Sequence, residues 1–476
     1  MIDSESPVTP GLASSALERP RARQLIVGIL VGAGLLIAAL VYLYSAFQAA
    51  ALVNTDPEKG NQMAYLQYGY RLWESGYTFK RDRNRMPALP MILAVTYQKG
   101  WHLEEDFFPR TKTLCVLLSL FCLGVVGAAV CATLGRAPGL VLTLVLAFTL
   151  YIYRAAYVQA EVLYYTSSGL VFIGALALLR RPVWWGAVAL GVVMGLTYLT
   201  KASILPAVGL AAVLLAARQG WAWWQEHKTA GETAAPCWRK LAQMLVPPLL
   251  VPLTYLVTIS PYLYNSKKIY GHAFYNVNST FYIWCDSFQQ AKDNVRNYDD
   301  RRAYPDIPPD KVPSAQRYLA THNPQQIWAR LSLGMWQQVK NLLTCYGAAK
   351  YLGLLLGLGV VVSWPVRGRW RAALASHFWE LLFAAGFLGG FFLLISFYSA
   401  IANGPRFIFS LYLPVLFLIF YWIWRLPEWR PKFFSNLCIP AAIGIRAICV
   451  SLMLVTLTAD SWTTVCKFLP RYYTGG

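Results

Sequence analysis

LIVGILVGAGLLIAALVYLYSAF, residues 25–47, runs for twenty-three residues without a charge. As a helix rising about 1.5 Å per residue it is long enough for the roughly 30 Å hydrocarbon core of a bilayer. Arg19, Arg21 and Arg23 precede it, and the AAA at 49–51 resembles a signal cleavage site. The run is longer than the 7–15 apolar residues of a signal core, so it is expected to be a retained anchor. Residues 1–24 are then a disordered cytoplasmic N-terminus.

The rest of the chain repeats the pattern. Of 476 residues 57% are hydrophobic and only 13% charged. Apolar segments lie near 25–47, 111–134, 138–153, 161–179, 184–200, 202–217, 244–263, 349–366, 378–401, 407–424 and 438–459. The expected fold class is therefore an all-α polytopic membrane protein with about eleven transmembrane helices. The net charge of +20 would suggest a nucleic-acid partner in a soluble chain. Here cytoplasmic loops account for it, and no basic domain or RNA-binding signature is present, so no nucleic acid is expected.

Nine cysteines and five histidines show no CxxC, HExxH or comparable ligand spacing, so the sequence indicates no metal site and requires no cofactor. Cys115, Cys122, Cys131, Cys438 and Cys449 lie in apolar runs, as small buried hydrophobes do. Cys285 and Cys345 share one long polar segment and could pair. Gly353/Gly357 and Gly386/Gly390 are expected to mark close helix packing.

Loop charge fixes an orientation. If Arg19–Arg23 are cytoplasmic, so are Arg136, Arg180 and Arg181, the 218–243 loop, the 367–377 loop and the 425–437 loop. All five are basic, as the positive-inside bias requires. Two long segments, 48–110 and 264–348, then face the opposite, trans side. The first carries KRDRNR, residues 80–85, on the side where cations are not favoured. A solvated surface explains this, and so does an anionic partner such as a lipid phosphate.

Within that first loop Thr55-Asp56-Pro57-Glu58 has the form of a helix start, with Gly76 as its stop. A second short helix is expected after Pro87, through Gly100. Neither is long enough to span, so both are expected along the interface with Tyr65, Tyr68, Tyr70, Trp73 and Tyr77 at headgroup depth. Asp56 is either a helix cap or a carboxylate able to take a proton at the mouth of the bundle.

The acidic start of the loop, AYLQYGYRLWESGY at 64–77 and DRNRMPALPMILA at 82–94 resemble the first loop of GT-C glycosyltransferases. VQAEVLYYTSSGLVFIGALALLRR at 158–181, GLTYLTKASILPAVGLAAVLLA at 195–216 and GPRFIFSLYLPVLFLIFYW at 404–422 continue the resemblance in order. It covers roughly residues 25–425. The most similar members are the bacterial ones grouped with dolichyl-phosphate-mannose protein mannosyltransferases and lipid A aminoarabinose transferases. Where many members carry paired acids, this chain has Asp56 and Glu58 separated by Pro57.

The resemblance implies a GT-C-like module over 25–263, a trans-side segment at 264–348, C-terminal transmembrane helices over 349–459 and a trans-side tail at 460–476. It implies an inverting transferase that takes a sugar from a polyprenyl-phosphate donor to a hydroxyl on a lipid, glycan or protein, in a bacterial inner membrane with a periplasmic site. Asp56 matches the family's base, and Glu161, at the start of a span, is the second catalytic candidate. Lys80, Arg83, Arg85 and Arg406 are the candidates for the donor phosphate, because cations stabilise a departing phosphate. Arg406 equally suits a snorkelling side chain. Glu58, Tyr65, Lys201, Trp284 and Asp286 complete the set as substrate contacts, with Trp284 and its aromatic neighbours equally suited to a small packed core. Asn278-Ser279-Thr280 is a glycosylation sequon. The rival readings are a transporter or flippase of a lipid-linked saccharide and a non-catalytic relative that binds lipid.

Overall fold

The computed structural model describes residues 15–78, 82–230, 238–298, 307–308, 311–345, 348–364, 368, 370–425 and 445–463. Among them there is no strand. α1 is Ser15–Gln48, followed by the short loop helices α2, Gln62–Glu74, and α3, Ala88–Ala94. The first half of the bundle is α4, Phe108–Leu134; α5, Arg136–Leu146; α6, Ile152–Ala155; α7, Glu161–Arg180; α8, Trp184–Thr200; α9, Leu205–Ala230; and α10, Trp238–Tyr270. A second long loop carries α11, Val277–Thr280; α12, Phe288–Asn297; α13, Ala315–Thr321; and α14, Pro324–Thr344. The chain closes with α15, Ala348–Ser363; α16, Trp370–Ser376; α17, Phe378–Tyr398; α18, Pro405–Ile408; α19, Tyr412–Arg425; and α20, Ile445–Thr463.

Eight helical stretches among the described residues are long and apolar enough to cross a bilayer. Two shorter apolar helices, Trp184–Thr200 and Ser451–Asp460, and the pair α14–α15, bent by 92°, account for the remaining expected segments. This is an integral membrane protein. Each of the eleven segments expected from hydropathy centres on a helix, with residues 365–366 and 438–444 outside the described residues.

Successive spans put the two long loops at one end, and their contacts agree. The Val277 amide donates to the Arg83 carbonyl at 2.9 Å, and Asn276 Nδ2 donates to the Asn84 carbonyl at 2.9 Å. At the other end Arg180 Nη1 donates to the Tyr421 hydroxyl at 2.9 Å and Arg218 Nη2 to the Arg180 carbonyl at 3.1 Å.

Between the two ends the core is aromatic and aliphatic. Phe172 of α7 meets Phe383, Phe387 and Phe417 with ring centroids 5.2–6.4 Å apart. Two pairs of buried side chains within it exchange hydroxyl hydrogen bonds, Tyr42 with Ser119 at 2.9 Å and Tyr151 with Thr166 at 2.8 Å, which offsets the cost of removing them from water. α10 contains Pro247, Pro248, Pro252 and Pro261. Pro261 has no N–H for the Val257 carbonyl, and Ser260 Oγ donates to that carbonyl instead at 2.8 Å.

Three expectations are corrected. Residues 55–58 do not start a helix: α2 begins at Gln62, after Gly60 and Asn61 both take left-handed backbone, φ 70° and 65°. Gly353, Gly357 and Gly390 have open space where a Cβ would stand, and only Gly386 of the four meets a neighbour, Leu210. The close approach is instead between α8 and α10, where Gly191 and Gly195 face Val251, Thr254 and Thr258. Cys285 and Cys345 are free thiols, the first buried among Tyr282, Phe281 and Ala291.

Two outcomes follow from these contacts. Gly195→Leu should destabilise the detergent-solubilised protein by about 1–3 kcal/mol, read as an earlier thermal transition, because its Cβ would lie 2.6 Å from Thr258 Cγ2. Burial, with Asp286 adding to it, pushes the Cys285 thiol up to about 11. A maleimide at neutral pH should therefore label half-exposed Cys345 well ahead of Cys285, read by peptide mass spectrometry without reductant.

Candidate active site at the loop-bearing end of the bundle

The first long loop starts with an amide clasp. Asn54 Nδ2 donates to Gln62 Oε1 at 2.8 Å, and Gln62 Nε2 returns a bond to Asn54 Oδ1 at 2.7 Å. Both side chains are buried. The spare capacity of each is spent on the turn before α7: Asn54 Nδ2 also reaches the Ala156 carbonyl at 2.8 Å, and Gln62 Oε1 accepts the Val158 amide at 2.9 Å. Lys112 Nζ donates to the carbonyls of Ala50 and Asn54, closing the end of the first span. Gln159 Nε2 donates to the Gly60 carbonyl, and a Cβ at Gly60 would collide with it.

The turn fixed by this clasp delivers Glu161 as the first residue of α7. Its carboxylate is buried and collects cations from two other parts of the chain. Lys201, between α8 and α9, donates to Oε1 at 3.1 Å, and Arg406 Nη1 of α18 stands 3.9 Å from the same oxygen. Tyr164 holds Lys201 against its ring face, 5.2 Å from the centroid, and accepts a bond from Ser203. Tyr165 donates to the Arg406 carbonyl at 2.8 Å. Glu161 Oε2 is buried with no hydrogen-bond partner among the described residues. One carboxylate against two close cations leaves the cluster net positive.

The first loop brings another cation, Arg85, to Tyr65 beside this cluster. Asp82 Oδ1 accepts the amides of Asn84 and Arg85 at 2.8 and 2.6 Å, a turn that aims the Arg85 side chain back toward α2. The Arg85 guanidinium lies 5.6 Å from the Tyr65 ring centroid and 3.6 Å from Asp82. Burial raises the Tyr65 phenol above its ordinary value; the Glu161 charge adds to this, while Arg85 and Arg406 oppose it. Tyr65 thus sits within electrostatic reach of all three groups.

Five of the eleven site residues expected from the sequence lie in or beside this cluster: Tyr65, Arg85, Glu161, Lys201 and Arg406. Arg83 reaches the second loop through its carbonyl. Asp56 lies half-exposed in the turn closed by the clasp, and its Oδ1 accepts the Glu58 amide at 2.8 Å, a local turn and not a helix cap. Glu58 itself is exposed. Lys80 lies outside the described residues. Trp284 and Asp286 belong elsewhere: Trp284 packs against Tyr318 and Phe397, and Asp286 pairs with His322 Nε2 at 3.0 Å.

Sequence reasoning passed over Asn54, Gln62 and Lys112. Lys112 carried a signal, being an ionisable residue inside the apolar segment expected at 111–134. The two amides carried none, because their pairing across eight positions exists only in the folded turn.

The sequence matches no family model and no curated protein. Among solved structures the chain is similar to ArnT from Cupriavidus metallidurans bound to undecaprenyl phosphate, at 15% identity over 93% of this chain and 74% of that one, with a TM-score of 0.45.

Gln62→Leu keeps the bulk of the clasp and removes its polar atoms, stranding the Asn54 amide and the Val158 N–H. Each stranded group should cost about 1–3 kcal/mol. The loop over 54–62 is expected to become the earliest region cut by protease or exchanged for deuterium in the variant.

Proposed function

We propose that this chain is an inverting glycosyltransferase that moves a sugar from a polyprenyl phosphate to an acceptor hydroxyl at the loop-bearing, trans face of the membrane. The observation that carries the reading is the Glu161 cluster: a buried carboxylate with one open oxygen, set against Lys201 and Arg406 and next to Arg85. A surplus of fixed cations at the membrane end of a bundle suits a lipid-borne phosphate. A neighbouring carboxylate oxygen without a donor suits an incoming hydroxyl.

In this reading a non-reacting hydroxyl of the acceptor donates to Glu161 Oε2, which orients the attacking hydroxyl toward the anomeric carbon. As the new C–O bond forms, the bond from that carbon to the phosphate oxygen breaks, and inversion results from the in-line displacement. The acceptor proton passes to a carboxylate, assigned to Asp56. The leaving phosphate gains negative charge, which Arg85, Lys201 and Arg406 stabilise, and Arg83 and Lys80 add positive charge along the same loop. No acid is needed to protonate the leaving group, because phosphate departs as an anion. The proposed setting is a bacterial inner membrane with the site in the periplasm. The proposed units are those of the sequence reading: 25–263 as the catalytic module, 264–348 as the trans-side segment, 349–459 as the closing helices.

The test is transfer from a panel of polyprenyl-phosphate sugars by the purified protein in nanodiscs. Asp56→Asn should lower turnover by about 10²–10⁴-fold. Arg85→Ala and Lys201→Ala should lower it by about 10²–10³-fold, the scale set by losing one preorganised charge donor. Full transfer by Asp56→Asn and Lys201→Ala proteins of unchanged thermal stability would overturn the assignment.

A further inference from the structure

α14 is 21 residues long, yet it is not one of the stretches apolar enough to cross alone. Its two sides differ sharply. At about 100° per residue, Trp328, Leu333, Trp336 and Leu343 share an arc of about 140°. Both tryptophans are exposed, at 62% and 64%, and both leucines are exposed with them. The opposite side is closed by polar contacts to the bundle. Arg330 donates to the carbonyls of Phe397 and Ile283 and lies 4.1 Å from the Phe397 ring centroid. Gly334 abuts the Ser396 carbonyl, and Gln338 and Asn341 both donate to Asn403 Oδ1.

We propose that α14 lies in the plane of the trans leaflet, with Trp328, Leu333, Trp336 and Leu343 immersed in lipid at the boundary between headgroups and acyl chains. Three observations select lipid as the occupant. First, α15 lies at 92° to α14 and carries its own outward apolar residues, Leu356 and Val360, as a helix in contact with lipid does. If α15 runs along the spans it packs on, α14 runs across their ends. Second, the helix belongs to the loop-bearing end, the level at which tryptophans anchor a membrane protein. Third, the arc carries two exposed tryptophans and two exposed leucines with exposed Lys340 among them, an apolar face with a cation able to snorkel to the headgroups, while the inward side already has its protein partners.

The immersed helix also braces the site. Asn403, held by Gln338 and Asn341, accepts the Gly404 amide at 2.8 Å, and Arg406 follows two residues later. The depth at which lipid holds α14 thereby bears on where Arg406 stands. This part holds whether or not the transferase reading does, since it concerns the position of a side chain and not its chemistry.

The unmodified protein in nanodiscs of phosphatidylethanolamine and phosphatidylglycerol tests the proposal by two labels. A lipid carrying a photoactivated carbene near the glycerol backbone should leave adducts on the 328–343 peptide. Hydroxyl radicals generated in the water should oxidise Trp328 and Trp336 several-fold more slowly in the nanodisc than in the unfolded chain. Rapid oxidation of both tryptophans would overturn the proposal. So would slow oxidation without lipid adducts, which would mean that protein, either this chain or a second copy, covers the face.

Discussion

Two buried amides, Asn54 and Gln62, hold together everything that happens at the loop-bearing end. Each uses both its nitrogen and its oxygen for the other and adds a bond to the backbone before α7, so the first loop cannot shift without the turn that delivers Glu161. In a site closed to water such a pair is either complete or costly, and here every polar atom has a partner. Gly60 and Asn61, residue types that take left-handed backbone readily, supply the turn that this closure needs.

Glu161 shows the same logic with charge. A carboxylate removed from water is tolerated only beside cations, and Lys201 and Arg406 come from distant parts of the sequence to provide them. The surplus positive charge that results is a property of the bundle's architecture, since the three side chains come from helix ends that only parity places together. Arg85 joins through Tyr65, and the loop that carries it is fastened by Asn276 and Asn278 of the second long segment.

What could be read in the sequence is what depends on run length and sign. The apolar stretches predict the helices, and counting them places the helix ends that carry Glu161, Lys201 and Arg406 on one face. The failures are contacts. Thr55-Asp56-Pro57-Glu58 has the local features of a helix start, but Gln62 spends its side chain on Asn54 and Val158, and the helix begins only there. Gly353 and Gly357 have the spacing of a packing motif and face open space, while Gly191 and Gly195, equally spaced, face Thr254 and Thr258. Spacing alone cannot tell which face of a helix has a neighbour. Lys201 stands between two short helices, a place that equally suits a lysine marking the interface; its partner is forty residues away.

The Asn278-Ser279-Thr280 sequon illustrates what occupancy means for chemistry at a surface. Asn278 Nδ2, the atom a glycan would bond to, already donates to Asn84 Oδ1, and Asn278 Oδ1 accepts the Tyr398 hydroxyl at 3.0 Å. An oligosaccharide can be attached there only before the two long segments meet. In a eukaryotic secretory pathway, attachment to the nascent chain would therefore compete with folding, and any molecule that acquired the sugar would be unable to dock one loop on the other.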